Sequence, residues 1–211
     1  DSMPETADNV ANDYGINRAD QDAFALRSQE RWATAHATGR FTDELCKVSI
    51  PKRKGDFSIV VEDEHPRPQT TAESLGKLRG INGADKTVTA GNASGINDGA
   101  AALLLASDAA VQPHGLTPIA RVLCMASAGV APRVMGIGPV PASRKALARA
   151  GLTIEDMDII ELNEAFASQG LATLRALCVA DDDPRVNPNR GAIAMGRPRR
   201  MSGGTRAVGC P

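Results

Sequence analysis

Aromatic side chains are nearly missing from this sequence: they make up 3% of 211 residues, with one Trp, one Tyr and four Phe. A core without rings must be packed from Ala, Leu, Val and Ile, which suits layered α/β architecture better than a β-sandwich. Excess charge of either sign is absent too, the formal net charge being -1. That leaves no basic footprint for nucleic acid and no polybasic arm for a membrane surface. The longest apolar run, Ala100 to Ala106, falls far short of the roughly 20 residues a membrane helix needs. Cysteine is sparse and scattered. Cys46, Cys124, Cys178 and Cys210 show no paired spacing that would suggest zinc or a disulfide framework, and His36, His65 and His114 match no catalytic motif and are expected at the surface. No metal site is expected. A reducing, cytoplasmic compartment is the simpler expectation, because no charged leader followed by an apolar stretch opens the chain.

What is present is an ordinary globular balance, 42% hydrophobic and 23% charged, on a chain long enough for one large domain or two modest ones. Glu5 to Tyr14 and Arg18 to Thr38 read as helices, with Asn17 as N-cap of the second and Gly39 just past its end. Phe24, Ser28, Trp32 and Ala35 form one buried stripe at helical spacing. Cys46 to Ile50 and Ser58 to Val61 suit short strands around a charged turn, Glu62 to Arg67 a loop, and Thr71 to Leu78 a short helix. From Thr87 to Gly99 the sequence is small, glycine-rich and turn-prone, which permits close approach of backbone or ligand. Beyond it, Asp108 to His114, Pro141 to Ala150 and Ala165 to Cys178 read as helices. Ala120 to Ala128, Asp158 to Leu162 and Gly191 to Met195 read as strands. This alternation predicts an α/β fold with a parallel or mixed sheet and helix crossovers.

Two segments about twenty residues apart carry the chemistry. Glu161-Leu162-Asn163-Glu164-Ala165-Phe166-Ala167 and Gly191-Ala192-Ile193-Ala194-Met195-Gly196-Arg197-Pro198 each suit a buried strand that delivers a polar residue into a turn, where α/β proteins usually place their chemistry. Together with Thr89-Ala90-Gly91-Asn92-Ala93-Ser94-Gly95-Ile96-Asn97-Asp98-Gly99 and Val134-Met135-Gly136-Ile137-Gly138-Pro139, they resemble the thiolase family over nearly the whole chain. Thiolases are coenzyme-A-dependent enzymes that cleave or form 3-ketoacyl thioesters. The wording around Ala126 to Pro139 and Asp181 to Asn187 is nearest to degradative members acting on 3-oxoadipyl- or acetoacetyl-coenzyme A.

The resemblance implies a layered αβαβα fold, present here in part. Residues 1–86 would be the later part of an inserted loop domain, 87–116 the end of the N-terminal half and 117–211 the start of the C-terminal half. Both ends of the family's chain would then be missing, and with them the nucleophilic cysteine and a later proton-shuttling cysteine. Cys46, Cys124, Cys178 and Cys210 lie outside both motifs. Coenzyme A and acyl-coenzyme A would be substrates, with no permanently bound cofactor, and the family forms dimers or tetramers.

Residue by residue, the resemblance implies that Asn163 holds a water completing an oxyanion hole. Its other role would be a turn asparagine capping the helix that starts at Ala165. Ser94 would touch the pantetheine amide in a slot lined by Ala90, Met135 and Phe166, and Arg79 would lie near the nucleotide end of the coenzyme. The family's catalytic histidine falls at Arg197, a permanent cation that cannot accept a proton. Arg190 stands for a glycine, Arg199 and Arg200 for an apolar residue and a glycine, and Thr205 to Gly209 replace an apolar helix. Such clustered departures look more like a degraded or misread gene than a retuned site. The chain by itself is therefore expected to be inactive. The alternatives are a non-catalytic coenzyme-A-binding or assembly module and a truncated product without function.

Overall fold

A computed structural model describes residues 1–53 and 55–198, without the side chains of Arg197 and Pro198. Arg199, Arg200, the segment 205–209 and Cys210 lie outside the described residues.

Local chemistry sets the helices. α1 (Met3–Asp13) opens on a capping box, the Ser2 hydroxyl accepting from the Glu5 N–H while the Glu5 carboxylate accepts from the Ser2 N–H. It buries Thr6, Ala7, Val10 and Ala11, one face of a 3.6-residue repeat. α2 (Arg18–Ala37) starts where the Asn17 side-chain oxygen accepts from the Asp20 N–H at 2.8 Å, and the expected stripe of Phe24, Ser28, Trp32 and Ala35 is buried. Past its end, Gly39 takes a φ of 74°, the left-handed region where a glycine carries no Cβ penalty.

β1 (Val48–Pro51) and β2 (Phe57–Val60) form an antiparallel hairpin in which Val48 faces Val60. α3 (Ala72–Gly76) follows, capped by Thr71. β3 (Ile96–Asn97) pairs in parallel with β4 (Arg197–Pro198). Between them come α4 (Asp108–Val111), a 3₁₀ segment (Pro132–Ile137), α5 (Pro139–Ala150), α6 (Ala167–Ala176) and α7 (Ala192–Met195).

α6 is the centre of the molecule. Its residues Ala167 to Leu174 are all buried, and α1 and α2 pack along it. The main core joins Val10, Phe24 and Leu75 to Ile137, Leu171 and Val186, so residues far apart in sequence share one interior. A smaller cluster gathers Trp32, Ala35, Phe41 and Ala194. Among the described residues no helix is long and apolar enough to cross a membrane.

Among the described residues the predicted crossover sheet is not assembled. Ala120 to Ala128 forms no strand, and Asp158 to Leu162 contributes one parallel bridge, Ile160 to Val186. A strand needs strand neighbours to satisfy its N–H and C=O groups, and among the described residues Ala120 to Ala128 has α5 beside it instead, with Lys145 and Arg149 donating to the Ser127 and Met125 carbonyls. The apolar run Ala100 to Ala106 is likewise unpaired and open to solvent, Leu104 and Leu105 each being 79% exposed. Gly191 to Met195 is corrected more sharply. Only Gly191 is extended, and Ala192–Met195 is a helical turn. A short apolar run does not reveal its period, and Ala and Met favour helix.

Candidate active site

The glycine-rich segment is held by its own polar groups. The Asn92 side-chain carbonyl accepts from the Thr89 N–H at 2.7 Å. Its amide donates to Asp22 at 2.9 Å and to the Thr87 carbonyl at 3.0 Å. Asp8 accepts from the N–H groups of Thr87 and Val88, both at 3.2 Å. Asp22 is itself paired with Arg18 at 2.7 Å, whose guanidinium also donates to the carbonyls of Leu75 and Leu78. A buried Asn between an amide N–H, a carboxylate and a carbonyl has little freedom to move.

This loop is stitched to the turn before α6. The Ala167 N–H donates to the Asn92 carbonyl at 2.8 Å, Ala93 pairs with Phe166, and Ser94 donates to the Ala165 carbonyl from its N–H at 3.1 Å and its hydroxyl at 3.2 Å. Ser94 and Phe166 are thus brought together. An antiparallel bridge between Gly80 and Thr89 sets Arg79 across from Ala90, and both are exposed. Met135 stands 48% exposed in the 3₁₀ segment.

A cavity of about 630 Å³ opens beside this seam. Asn163, Asn97, Trp32, Phe41 and the run Gly191 to Ala192 contribute to its wall, whereas Arg79, Ala90, Ser94, Met135 and Phe166 do not. The Asn163 side-chain oxygen is buried and accepts no hydrogen bond from the described residues. Nor does Asn163 cap a helix, because α6 starts at Ala167 with Phe166 at its N-cap and no side-chain cap bond. A buried amide oxygen with no donor is costly unless something polar fills the place beside it.

The turn after α7 lies close by. Its β4 backbone, Arg197–Pro198, runs in parallel register with Ile96–Asn97, so the position of the expected histidine is joined to the end of the glycine-rich segment. Arg190, another departure, lies in the cavity wall with its guanidinium paired to Glu44 at 3.2 Å. Also from α2, the Arg31 guanidinium donates to the carbonyls of Val186 and Asp183. Burial lowers its pKa, and the nearby Glu164 charge opposes that shift.

Among the wall residues not foreseen as part of a site are His65, His36 and Cys46. His65, expected at the surface, is half-buried in the wall with its ring against Gly95, where a Cβ would overlap it. Cys46 also lines the wall, although it is exposed. A glycine at position 95 signals close approach, but not which side chain approaches. Among the described residues no group of three or more His, Cys, Asp or Glu side chains is placed to hold a metal ion.

Comparison with known proteins matches the same regions. The family model described as Thiolase, N-terminal domain matches residues 1–109, and Thiolase, C-terminal domain matches residues 116–209. A beta-ketoadipyl-CoA thiolase of Pseudomonas putida is 68% identical over 203 residues, covering 96% of this chain and 50% of that protein. The 3-oxoadipyl-CoA/3-oxo-5,6-dehydrosuberyl-CoA thiolase of Escherichia coli strain K12 is 56% identical over 208 residues, 99% of this chain and 52% of its own length. Among solved structures, a Bacillus anthracis acetyl-CoA acetyltransferase superposes with a TM-score of 0.91 at 42% identity, over 98% of this chain and 52% of that one. Human mitochondrial 3-ketoacyl-CoA thiolase in complex with CoA gives 0.88 at 46% identity, over 98% of this chain and 50% of that one. The chain spans about half the length of the curated relatives it matches, and its described elements are part of the layered fold of these structures. Matched in both regions along nearly all of its length, this chain belongs to the thiolase family.

Proposed function

We propose that this chain is part of a coenzyme-A-dependent acyltransferase that cleaves or forms 3-ketoacyl thioesters, with acyl groups of the 3-oxoadipyl class as substrate. The observation that carries the proposal is the Asn163 side-chain oxygen, buried in the cavity wall without a donor. A water at that oxygen donates one proton to Asn163 and directs its second O–H at the thioester oxygen of the substrate, where negative charge builds as the bond between the two acyl carbons breaks. A donor held in place before charge develops is worth more in the transition state than in the ground state. Ser94 and Phe166, already joined through Ala165, line the pantetheine path, with Ala90 and Met135 beside it and Arg79 toward the nucleotide. The acyltransferase works in the cytoplasm as a homo-oligomer, and residues 1–86 serve as its loop domain.

The 211-residue chain by itself does not turn over. None of its four cysteines falls in a family motif, and Arg197 stays protonated where a base must accept the proton of the attacking thiol. Incubation with acetoacetyl- or 3-oxoadipyl-coenzyme A and coenzyme A should release acetyl-coenzyme A no faster than a boiled control. Protein-dependent release above that control overturns the proposal of inactivity. The bonding between Ser94, Ala165 and Phe166 favours a second role, a module that holds coenzyme A without turning it over. Calorimetric titration of the chain alone with coenzyme A tests this second role: heat of binding supports the module, and no heat overturns it.

A further inference from the structure

Glu164 follows Asn163 in the chain and points the other way, into the protein, where it is 2% exposed. Its carboxylate collects three donors from three separate places. The Ser28 hydroxyl on α2 donates at 2.7 Å, the Asn187 side-chain amide at 2.9 Å, and the Ile193 N–H in the first turn of α7 at 3.1 Å. A carboxylate taken out of water is tolerated when its lone pairs are filled. Here they are filled from segments whose relative placement decides the shape of the cavity.

Each partner is constrained in turn. Asn187 exchanges two hydrogen bonds with the Leu162 backbone, both at 2.8 Å, fixing the segment that leads into Asn163. Gly191 passes so close that a Cβ there would overlap the carboxylate. α7 is a single turn of four residues with no side-chain cap of its own, and a helix that short has no independent stability. Its far side, Ala194 and Met195, rests on Trp32 and Phe41.

We infer that Glu164 is the positioning residue of the site: one buried carboxylate seats the α7 turn and so holds the backbone from Gly191 to Arg197 beside Asn163. The catalytic meaning of that placement rests on the function proposed above. The seat itself does not.

Trp32 is the one tryptophan of the sequence and packs against Ala194, so its emission reports on the seat. In the 211-residue chain, Glu164→Gln places an amide N–H group among three donors. It should speed hydrogen exchange at the Ile193 amide by about tenfold or more, because a hydrogen bond to a charged acceptor is lost. Trp32 emission should move to the red, while exchange at Leu171 and Val10 stays unchanged. Glu164→Asp, which keeps the charge, should restore part of the Ile193 protection. Should Glu164→Gln fail to fold, Ser28→Ala removes a single donor and should give the same ordering of effects at smaller amplitude. An unmoved Ile193 amide with unmoved Trp32 emission, or equal acceleration at Ile193 and Leu171, overturns the inference. None of these readouts needs turnover, so loss of the functional proposal in an activity assay leaves the seat standing, and loss of the seat leaves the functional proposal standing.

Discussion

Arg190 lies over the ring of Phe41, its guanidinium carbon 5.3 Å from the ring centroid, while pairing with Glu44 at 3.2 Å. In the sequence Arg190 stands out as damage, a long cation where the family resemblance calls for glycine. In the structure it has a face to stack on and an anion to meet. Its side chain is only 15% exposed, so both contacts are partly shielded from water. Arg190→Ala should lower the unfolding free energy by about 1 kcal/mol, summed from a stack and an ion pair of modest worth. Arg190→Lys should recover the ion pair alone. Urea denaturation of the three proteins checks this, and an Arg190→Ala protein as stable as the parent would show that the residue is merely accommodated.

Asn163→Ala should cost little stability, because the side chain makes no cap bond and its oxygen has no donor. Loss of a true N-cap would cost about 1 kcal/mol. In a full-length form carrying Arg197→His and the remaining family sequence, the same change should lower turnover by about 10² to 10³ while leaving coenzyme A affinity nearly unchanged. A destabilised but fully active variant would end the oxyanion assignment.

The exposed apolar segments should make the isolated chain bind hydrophobic dyes and associate. Leu104, Leu105, Leu123 and Met125 are all at least 70% exposed, and unpaired apolar strand-like segments invite association. Leu104→Lys with Leu123→Lys should reduce dye binding and raise solubility without lowering the melting temperature. A monodisperse, sharply melting parent that binds no dye would contradict this.

Acid should unfold the protein through paired carboxylates. Hydrogen bonds from the Arg185 guanidinium and backbone hold the Asp183 carboxyl below the ordinary aspartate value of 3.8, and Arg133 does the same for Asp13. The unfolded chain therefore takes up protons first as pH falls. The stability these groups supply is complete above the ordinary value and lost below it, so melting temperature should hold between about pH 7 and pH 5 and drop below about pH 4. Asp183→Asn should make that drop shallower. A melting profile that falls equally steeply in the variant would assign the acid sensitivity elsewhere.

Caps and stripes were legible because they are local. Asn17 and the Phe24, Ser28, Trp32, Ala35 face need only the residues within two or three turns. The polar residue of the site was legible as part of a motif, and Asn163 does line the cavity. What failed depends on distant partners. Gly191 to Met195 is apolar in either conformation, and the helical turn is fixed by contacts with Glu164 and Trp32 that lie 29 and more than 150 residues away. Ala120 to Ala128 has strand composition but no described strand to pair with, and α5 lies beside it instead. His65 reaches the cavity only because the chain after the β1–β2 hairpin folds back beside Gly95, which no short-range pattern records.

The core described above is made jointly by chain segments on both sides of the exposed stretch from Gln112 to Leu123. That stretch contributes no residue to the core, and its Arg121–Asp108 ion pair is a surface contact. A protease that nicks this stretch severs a peptide bond yet leaves α1 and α2 buried against α6, so the two pieces should migrate as one particle until denaturant parts them. The same geometry makes the stretch a natural split point. Two polypeptides expressed separately, one ending and the other beginning there, should find each other and reconstitute the cavity, with Trp32 from the first piece packing again beneath Ala194 from the second.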